Sequence, residues 1–141
     1  MKLHLCRRYT FAASHRLHSA ALSDEENRRT YGKCANPHGH GHNYVLEVAF
    51  SGAVDPATGM IADLGEVDAF VRREVIEPFD HRYLNEEVPQ FRAQVPTTEN
   101  LCREIHRRLR VFPKARLERV RIEETGLNSF EYWGEPPGSK T

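Results

Sequence analysis

Three histidines alternate with glycines immediately before a stretch of strand-forming residues, and this feature constrains the fold more than any other. Residues 34–44 read CANPHGHGHNY, in which His38, His40 and His42 are spaced by two. Residues 42–51 (HNYVLEVAFS) continue with β-branched and aromatic side chains. Because residues two apart in an extended chain point to the same face, a strand here would present imidazoles side by side.

Hydrophobic spacing and capping signals predict the remaining elements. Apolar residues recur at helical spacing after Asp63, and a second apolar stripe follows Thr97. In order, the predicted elements are a strand over residues 3–13, a loop over 18–37, a strand over 42–51, a helix capped by Asp63 that runs to about Ile76 and ends before Pro78, an irregular stretch over 78–96, a helix capped by Thr97 or Thr98 and ended by Pro113, and strands over 116–123 and 128–133.

This order, strand-strand-helix-helix-strand-strand, predicts an α+β fold with a four-stranded antiparallel sheet and two helices on one face. A chain of 141 residues suits a single domain with one hydrophobic core. Residues 134–141 are rich in Pro and Gly, so a flexible tail is expected there. The outer edges of such a sheet would be open in a monomer, which favours an oligomer.

The composition narrows the function classes. Lys plus Arg total 20 and Asp plus Glu total 20, so the formal net charge of zero gives no reason to expect nucleic acid or an anionic membrane surface as a partner. The three cysteines form no even-numbered disulfide framework, which favours a reducing cytoplasm. The N-terminus does not read as a signal peptide, and no apolar run is long enough to span a bilayer.

The alternating histidines predict a metal site. Two imidazoles on one face of a strand can bind the same ion, and the intervening glycines leave room for close approach. The third ligand expected is His15, at the end of the first strand in FAASH, because an antiparallel neighbour would place it beside the HGH segment. Three neutral imidazoles with one open position are typical of catalytic zinc, although imidazole also suits copper, iron and nickel.

A cysteine and an Asp-His pair are further candidates for chemistry. Cys34 stands beside Lys33 in the loop before the histidines, and it is either a packing residue or a thiol near the metal. In the second case its thiolate would be favoured, as a base, a nucleophile or a metal ligand. Asp80 and His81 are adjacent in FDHRYLN, where they form either a polar turn or a catalytic pair.

Two glutamates end the strand predicted before Thr125. Glu124 shares its parity with Val120 and Ile122, so it points inward while Glu123 faces solvent. An inward carboxylate requires a partner, and a ligand with a row of N–H donors would supply one.

These residues together resemble the 6-pyruvoyltetrahydropterin synthase and 6-carboxytetrahydropterin synthase family. The resemblance runs from Phe11 to about Tyr132 and rests on six segments in the family's order: FAASH, GKCANPHGHGHNY, GMIADLGEV, FDHRYLN, PTTEN and EET. It implies the tunnelling fold, in which trimers close a β-barrel and stack into hexamers with sites between subunits. It also implies a zinc-dependent lyase that converts 7,8-dihydroneopterin triphosphate to 6-pyruvoyltetrahydropterin and releases triphosphate.

The resemblance also implies a role for each candidate residue, carried over motif by motif. The implied roles are zinc binding for His15, His40 and His42, general base for Cys34, linked proton handling for Asp80 and His81, pterin anchoring for Glu124, and further substrate binding for Thr98 and Glu99.

Two alternatives stay open on the sequence. Counting the ligands as His38 and His40 would match many carboxy-forming enzymes of queuosine biosynthesis, which release acetaldehyde and triphosphate from the same substrate. The HNY that follows His42 favours His40 and His42 and hence the pyruvoyl branch. A non-enzymatic, zinc-stabilised binding module is the other alternative, and it would gain if Cys34 were a fourth ligand, because structural zinc normally has four protein ligands.

Overall fold

A computed structural model describes residues 3–139 of the chain. Its elements are β1 (His4–His15), α1 (Asp24–Tyr31), a 3₁₀ turn (Gly32–Ala35), β2 (His40–Ser51), α2 (Leu64–Val71), a π turn (Arg72–Ile76), α3 (Glu77–Phe79), β3 (Arg82–Tyr83), α4 (Leu84–Glu87), a second 3₁₀ turn (Pro89–Arg92), α5 (Thr98–Leu109), β4 (Arg116–Thr125) and β5 (Asn128–Tyr132).

The α+β class is confirmed, but the prediction of four antiparallel strands is wrong. The sheet has five strands in the order β3-β1-β2-β4-β5. The long strands pair antiparallel, as expected, whereas the two residues of β3 pair parallel to β1. So short a strand has no hydrophobic period of its own. It forms because the chain after α3 is held at the edge of β1, where the His81 backbone N–H donates to the Ala12 carbonyl at 2.6 Å.

The predicted loop over residues 18–37 is also corrected, since it contains α1. The Ser23 side chain caps this helix by accepting from the Glu26 backbone N–H at 3.1 Å, and acidic residues fill the first turn. The buried Asn27 side chain donates to the carbonyls of Ser19, Leu22 and Ser23. A helix held by polar caps has no apolar stripe, so hydrophobic periodicity does not reveal it.

The predicted helix end before Pro78 is wrong as well. The helix capped by Asp63 widens into the π turn over Arg72–Ile76 and continues as α3 through Phe79. Pro78 lies at the start of α3, near the first helical positions, where the missing N–H of a proline is tolerated. Within the stretch predicted to be irregular, 78–96, the chain forms β3, α4 and the second 3₁₀ turn.

One hydrophobic core fills the space between the sheet and the helices. Alternate residues of β1, β2 and β4 face the helices, and α5 packs against β4 and β5. The largest fully buried side chains in this core are Tyr44, Phe50, Phe79, Leu46, Leu84, Leu101, Ile105, Leu109 and Ile122. This packing fixes which face of each strand is internal, and therefore where polar side chains of the same parity lie.

The strands are longer than predicted at the ends that matter for chemistry. β1 extends to His15, β2 begins at His40, and β4 continues through Thr125.

No helix within residues 3–139 combines the length and apolar character needed to cross a bilayer. The predicted flexibility of residues 134–141 stays a prediction, and the last two of them lie outside the described residues.

Candidate active site

Three histidine rings meet at one end of the sheet. His15 pairs with His40 across β1 and β2, and Ala13 pairs with His42, so strand register sets all three imidazoles on the internal face. Their candidate ligand atoms all lie within 4.8 Å of one another, and the Nε2 atoms of His15 and His40 are 3.0 Å apart. Such convergence of donors is the arrangement that a bound cation requires.

His15 is the most enclosed of the three, with only 1% of its surface exposed. Its Nδ1 lies 2.8 Å from the Pro96 carbonyl oxygen, so Nδ1–H donates there and Nε2 is left with its lone pair facing His40. Burial, together with the neighbouring His40 and His42, lowers the pKa of His15 to about 4. A neutral ring held in one tautomer is the form that binds a metal.

Glu124 approaches the histidines from β4. Its Oε1 lies 3.6 Å from Nε2 of His42, and its Oε2 accepts a hydrogen bond from the buried Thr98 hydroxyl. Nε2 of His42 is buried and has no hydrogen-bond partner among the described residues. The carboxylate is therefore aimed into the histidine site, on the internal face that its parity with Ile122 predicts.

The donor set fits a metal ion. Burial also lowers the pKa of His40, so at neutral pH both His15 and His40 are neutral imidazoles. Neutral imidazole is a preferred ligand for zinc and for several other transition metals. A cation between the rings would also give His42 Nε2, which has no hydrogen-bond partner among the described residues, a direct ligand interaction. Among the described residues, the histidine group alone brings together three or more such ligand atoms.

The sequence and the fold match known proteins. The sequence profile described as 6-pyruvoyl tetrahydropterin synthase matches residues 4–135. The human protein named 6-pyruvoyl tetrahydrobiopterin synthase is 45% identical over 130 residues, covering 92% of this chain and 90% of the human one. The Dictyostelium discoideum protein of the same name is 44% identical over 131 residues, covering 93% and 96%.

The solved structure of Caenorhabditis elegans 6-pyruvoyl tetrahydropterin synthase superposes with a TM-score of 0.91 at 41% identity, covering 96% of this chain and 97% of that one. The chain belongs to the 6-pyruvoyl tetrahydropterin synthase family. It is accordingly an enzyme, of the lyase class that acts on phosphates. Family membership thus favours an enzyme over the binding-module alternative.

In this member of the family, a glycine separates His38 from the two histidines of β2. Gly39 has φ of +73°, and a Cβ there would lie 3.0 Å from the His15 carbonyl oxygen. The chain turns at this residue, so the extended alternation begins only at His40. His38 is consequently exposed in the turn and is not part of the histidine group.

The Asp80-His81 pair lies at the edge of the sheet. Asp80 Oδ1 accepts from the Ala12 backbone N–H at 2.9 Å, and Asp80 Oδ2 is 3.7 Å from His81 Nε2. The His81 side chain is 83% exposed. It lines a groove of about 500 Å³ whose walls also include Ser14, His42 and Tyr83. The groove therefore places the exposed His81 side chain beside the strand segment that carries His42.

The other predicted residues are placed differently. Cys34 is half-buried in the first 3₁₀ turn, and no hydrogen bond or ion pair within residues 3–139 joins its thiol to the three histidines. Glu99 is exposed in the first turn of α5, whereas Thr98 is buried against Glu124. The structure thus brings together His15, His40, His42, Glu124 and Thr98, and it leaves Cys34 and Glu99 outside that group.

Two contacts at the site were not predicted. The Pro96 carbonyl that orients His15 is a backbone group 81 positions away, which side-chain identity does not reveal. Tyr44 is fully buried beside the histidines, with its hydroxyl 3.4 Å from His15 Nδ1 and its ring centroid 5.5 Å from that of His42. Its parity with His40 and His42 in HNY was the available signal.

Proposed function

We propose that the chain is a zinc-dependent 6-pyruvoyltetrahydropterin synthase that converts 7,8-dihydroneopterin triphosphate to 6-pyruvoyltetrahydropterin and triphosphate. The observation that carries this proposal is the convergence of three imidazoles within 4.8 Å beside the Glu124 carboxylate. The names of the human and nematode relatives support the reaction, and the chemistry of the donor set supports the metal.

His15, His40 and His42 would hold the zinc. When bound, zinc supplies Lewis acidity, which polarises the side-chain oxygens of the substrate. The protein prepares this site in advance, because the Pro96 carbonyl fixes the His15 tautomer and strand pairing fixes the positions of the rings.

Glu124 would anchor the pterin ring. A carboxylate accepts two charge-assisted hydrogen bonds side by side, which suits the amino and ring N–H groups of a pterin. The Thr98 hydroxyl already occupies one oxygen, Oε2, and so holds the carboxylate in orientation. Oε1 points toward His42, which sets the ring next to the metal site. We extend the substrate site to Glu99, whose exposed side chain follows Thr98 in the same helical turn.

Cys34, His81 and Asp80 would move the protons. Cys34 acts as the general base on a side-chain carbon, and His81 exchanges protons with the substrate while Asp80 orients it. The triphosphate leaves as its carbon–oxygen bond breaks. The two-electron reduction of the ring is balanced by oxidation of the substrate's own side chain, so no external reductant takes part.

The exposed position of His81 at the edge of the sheet supports sites formed between subunits. We therefore include a hexamer of two stacked trimers in the proposal, as the resemblance implies. The free cysteines and the soluble type of substrate favour the cytoplasm as the location.

The test is to incubate the zinc-loaded protein with 7,8-dihydroneopterin triphosphate and to identify products by mass spectrometry. We expect 6-pyruvoyltetrahydropterin and triphosphate, and no turnover after zinc is removed with a chelator. Acetaldehyde together with 6-carboxytetrahydropterin would replace this proposal with the queuosine-route activity. Unconverted substrate in the presence of zinc would contradict both reactions.

A further inference from the structure

One asparagine connects the segments that carry the candidate catalytic groups. The Asn85 side chain, in α4, accepts from the Arg16 backbone N–H at 2.8 Å and donates to the Arg16 carbonyl oxygen at 2.8 Å. An amide that makes both bonds to one residue imitates a strand pair, and it fixes that residue in position and orientation. Arg16 directly follows His15, the most buried of the three histidines.

Arg16 and its neighbour in turn hold the turn that carries Cys34. The Arg16 Nε donates to the Ala35 carbonyl at 3.1 Å, and the Leu17 backbone N–H donates to the Cys34 carbonyl at 2.8 Å. The 3₁₀ turn is thus bound, through the consecutive carbonyls of Cys34 and Ala35, to the two residues that follow His15.

The end of β1, just before His15 and Arg16, also holds Asp80 and His81 in place. Both residues bond to the backbone of Ala12, and β3 continues the contact by pairing with Ala13 and Ser14. Asn85 extends this row of contacts beyond β3 to Arg16. It is therefore the point at which the segment of His81 meets the segments of His15 and Cys34.

We infer that Asn85 is a positioning residue, whose double hydrogen bond to Arg16 sets the Cys34 turn relative to His15. This inference rests on the proposed function for the role of Cys34. Misplacement of a reacting group by about 1 Å can lower a rate on the order of 100-fold. Loss of the clamp is therefore expected to act on the chemical step more than on substrate binding.

The test compares three variants of the full-length, zinc-loaded protein. Asn85→Ala removes both bonds, and Asn85→Asp keeps the oxygen that accepts from the Arg16 N–H but replaces the donor to the Arg16 carbonyl with a second acceptor oxygen. Gln90→Ala is the control, because Gln90 lies in the same connecting stretch, its amide oxygen accepts from Arg108 at 3.0 Å, and no hydrogen bond within residues 3–139 joins it to β1. For each, kcat and KM are measured with dihydroneopterin triphosphate, and zinc content with elemental analysis.

We expect Asn85→Ala to keep its zinc and its KM while kcat falls roughly 10- to 100-fold. Asn85→Asp should also lose kcat, because its second oxygen faces the Arg16 carbonyl oxygen and cannot donate to it, whereas Gln90→Ala should retain the original kcat. If Asn85→Ala and Gln90→Ala have the same kcat, or if Asn85→Asp retains the original kcat, the positioning role is wrong.

A second readout does not depend on turnover. The rate at which iodoacetamide alkylates Cys34 at neutral pH, followed by peptide mass mapping, reports how firmly the turn is held. We expect faster alkylation in Asn85→Ala than in Gln90→Ala, because a released turn exposes the half-buried thiol. Equal alkylation rates in the two variants would show that Asn85 does not hold the Cys34 turn. If the original protein alkylates as expected but converts no substrate, the lyase proposal fails while the clamp stands.

Discussion

The three histidines are held in place in a different way from Cys34 and His81, the two residues proposed to transfer protons. The histidines lie on paired strands, where register alone brings His15 opposite His40 and His42 opposite Ala13. Cys34 and His81 lie on connecting segments, and backbone hydrogen bonds attach those segments to the edge and end of β1. Strand register is a repeating constraint that a sequence pattern can predict, whereas each attachment of a connecting segment is an individual contact.

This difference has a functional consequence. A metal site needs donors fixed within a fraction of an ångström, and paired strands over a packed core provide that rigidity. Proton-transfer groups act on a substrate that must enter and leave, which is compatible with the exposed position of His81 beside the groove. The two regions should therefore respond differently when single side chains are removed.

The largest effect should come from the connecting segment. Cys34→Ala is expected to lose turnover on the order of 100- to 10,000-fold, the range typical of a general base, while keeping its zinc and its fold. Zinc content and product formation are measured on the same sample. The control is Cys6→Ala, which removes an exposed thiol near the opposite end of β1. If zinc disappears together with turnover, Cys34 is a ligand and the division between the regions fails.

A smaller effect is expected where a strand residue contacts the substrate. Glu124→Gln should raise KM roughly 10- to 100-fold, because hydrogen bonds to a charged group contribute about 1.5–3 kcal/mol. Glu123→Gln is the matched control, since it makes the same change one position away on the opposite face. Steady-state kinetics on both variants checks this. Greater damage from Glu123→Gln would show that the parity argument has the wrong face.

Much of the strand region could be predicted from the sequence. The α+β class is confirmed, and the positions of His15, His40 and Glu124 follow from alternation and from antiparallel neighbours. The connecting segments were harder to predict from the sequence. The two residues of β3 and the polar helix α1 have no hydrophobic periodicity. The pair of hydrogen bonds between Asn85 and Arg16 joins residues that are 69 positions apart in the chain. Such contacts depend on where the chain returns in space, which local patterns do not specify.

The smallest effect should come from a polar contact outside both regions. Asp68 accepts from Arg7 at 3.0 and 2.6 Å and from the Tyr9 hydroxyl at 2.6 Å. Asp68→Asn should lower the free energy of unfolding slightly, because the pair is screened by solvent, and should leave zinc content and turnover unchanged. Denaturant titration measures the loss, and an accompanying fall in zinc content would show that the site depends on distant packing.

The Asp68 contribution should also depend on pH. The hydrogen bond from Arg7 lowers the pKa of Asp68 below its ordinary value of 3.8. A carboxyl with a lowered folded-state pKa stabilises the fold above its unfolded pKa, and the contribution is lost as pH falls through the folded one. The difference in stability between the original chain and Asp68→Asn should therefore be full at neutral pH and shrink in acid. A difference that stays constant down to strongly acidic pH would contradict this origin.

The most direct measurement for the whole account is the zinc content of two histidine variants. The structure aligns His42 with His15 and His40, whereas the turn at Gly39 takes His38 out of the group. His42→Ala should lose more zinc affinity than the roughly 10- to 100-fold typical of an outer-shell change, and His38→Ala should keep one zinc per chain. Elemental analysis after dialysis against a fixed zinc concentration decides it. Full zinc in His42→Ala, with loss in His38→Ala, would show that strand register does not build this metal site.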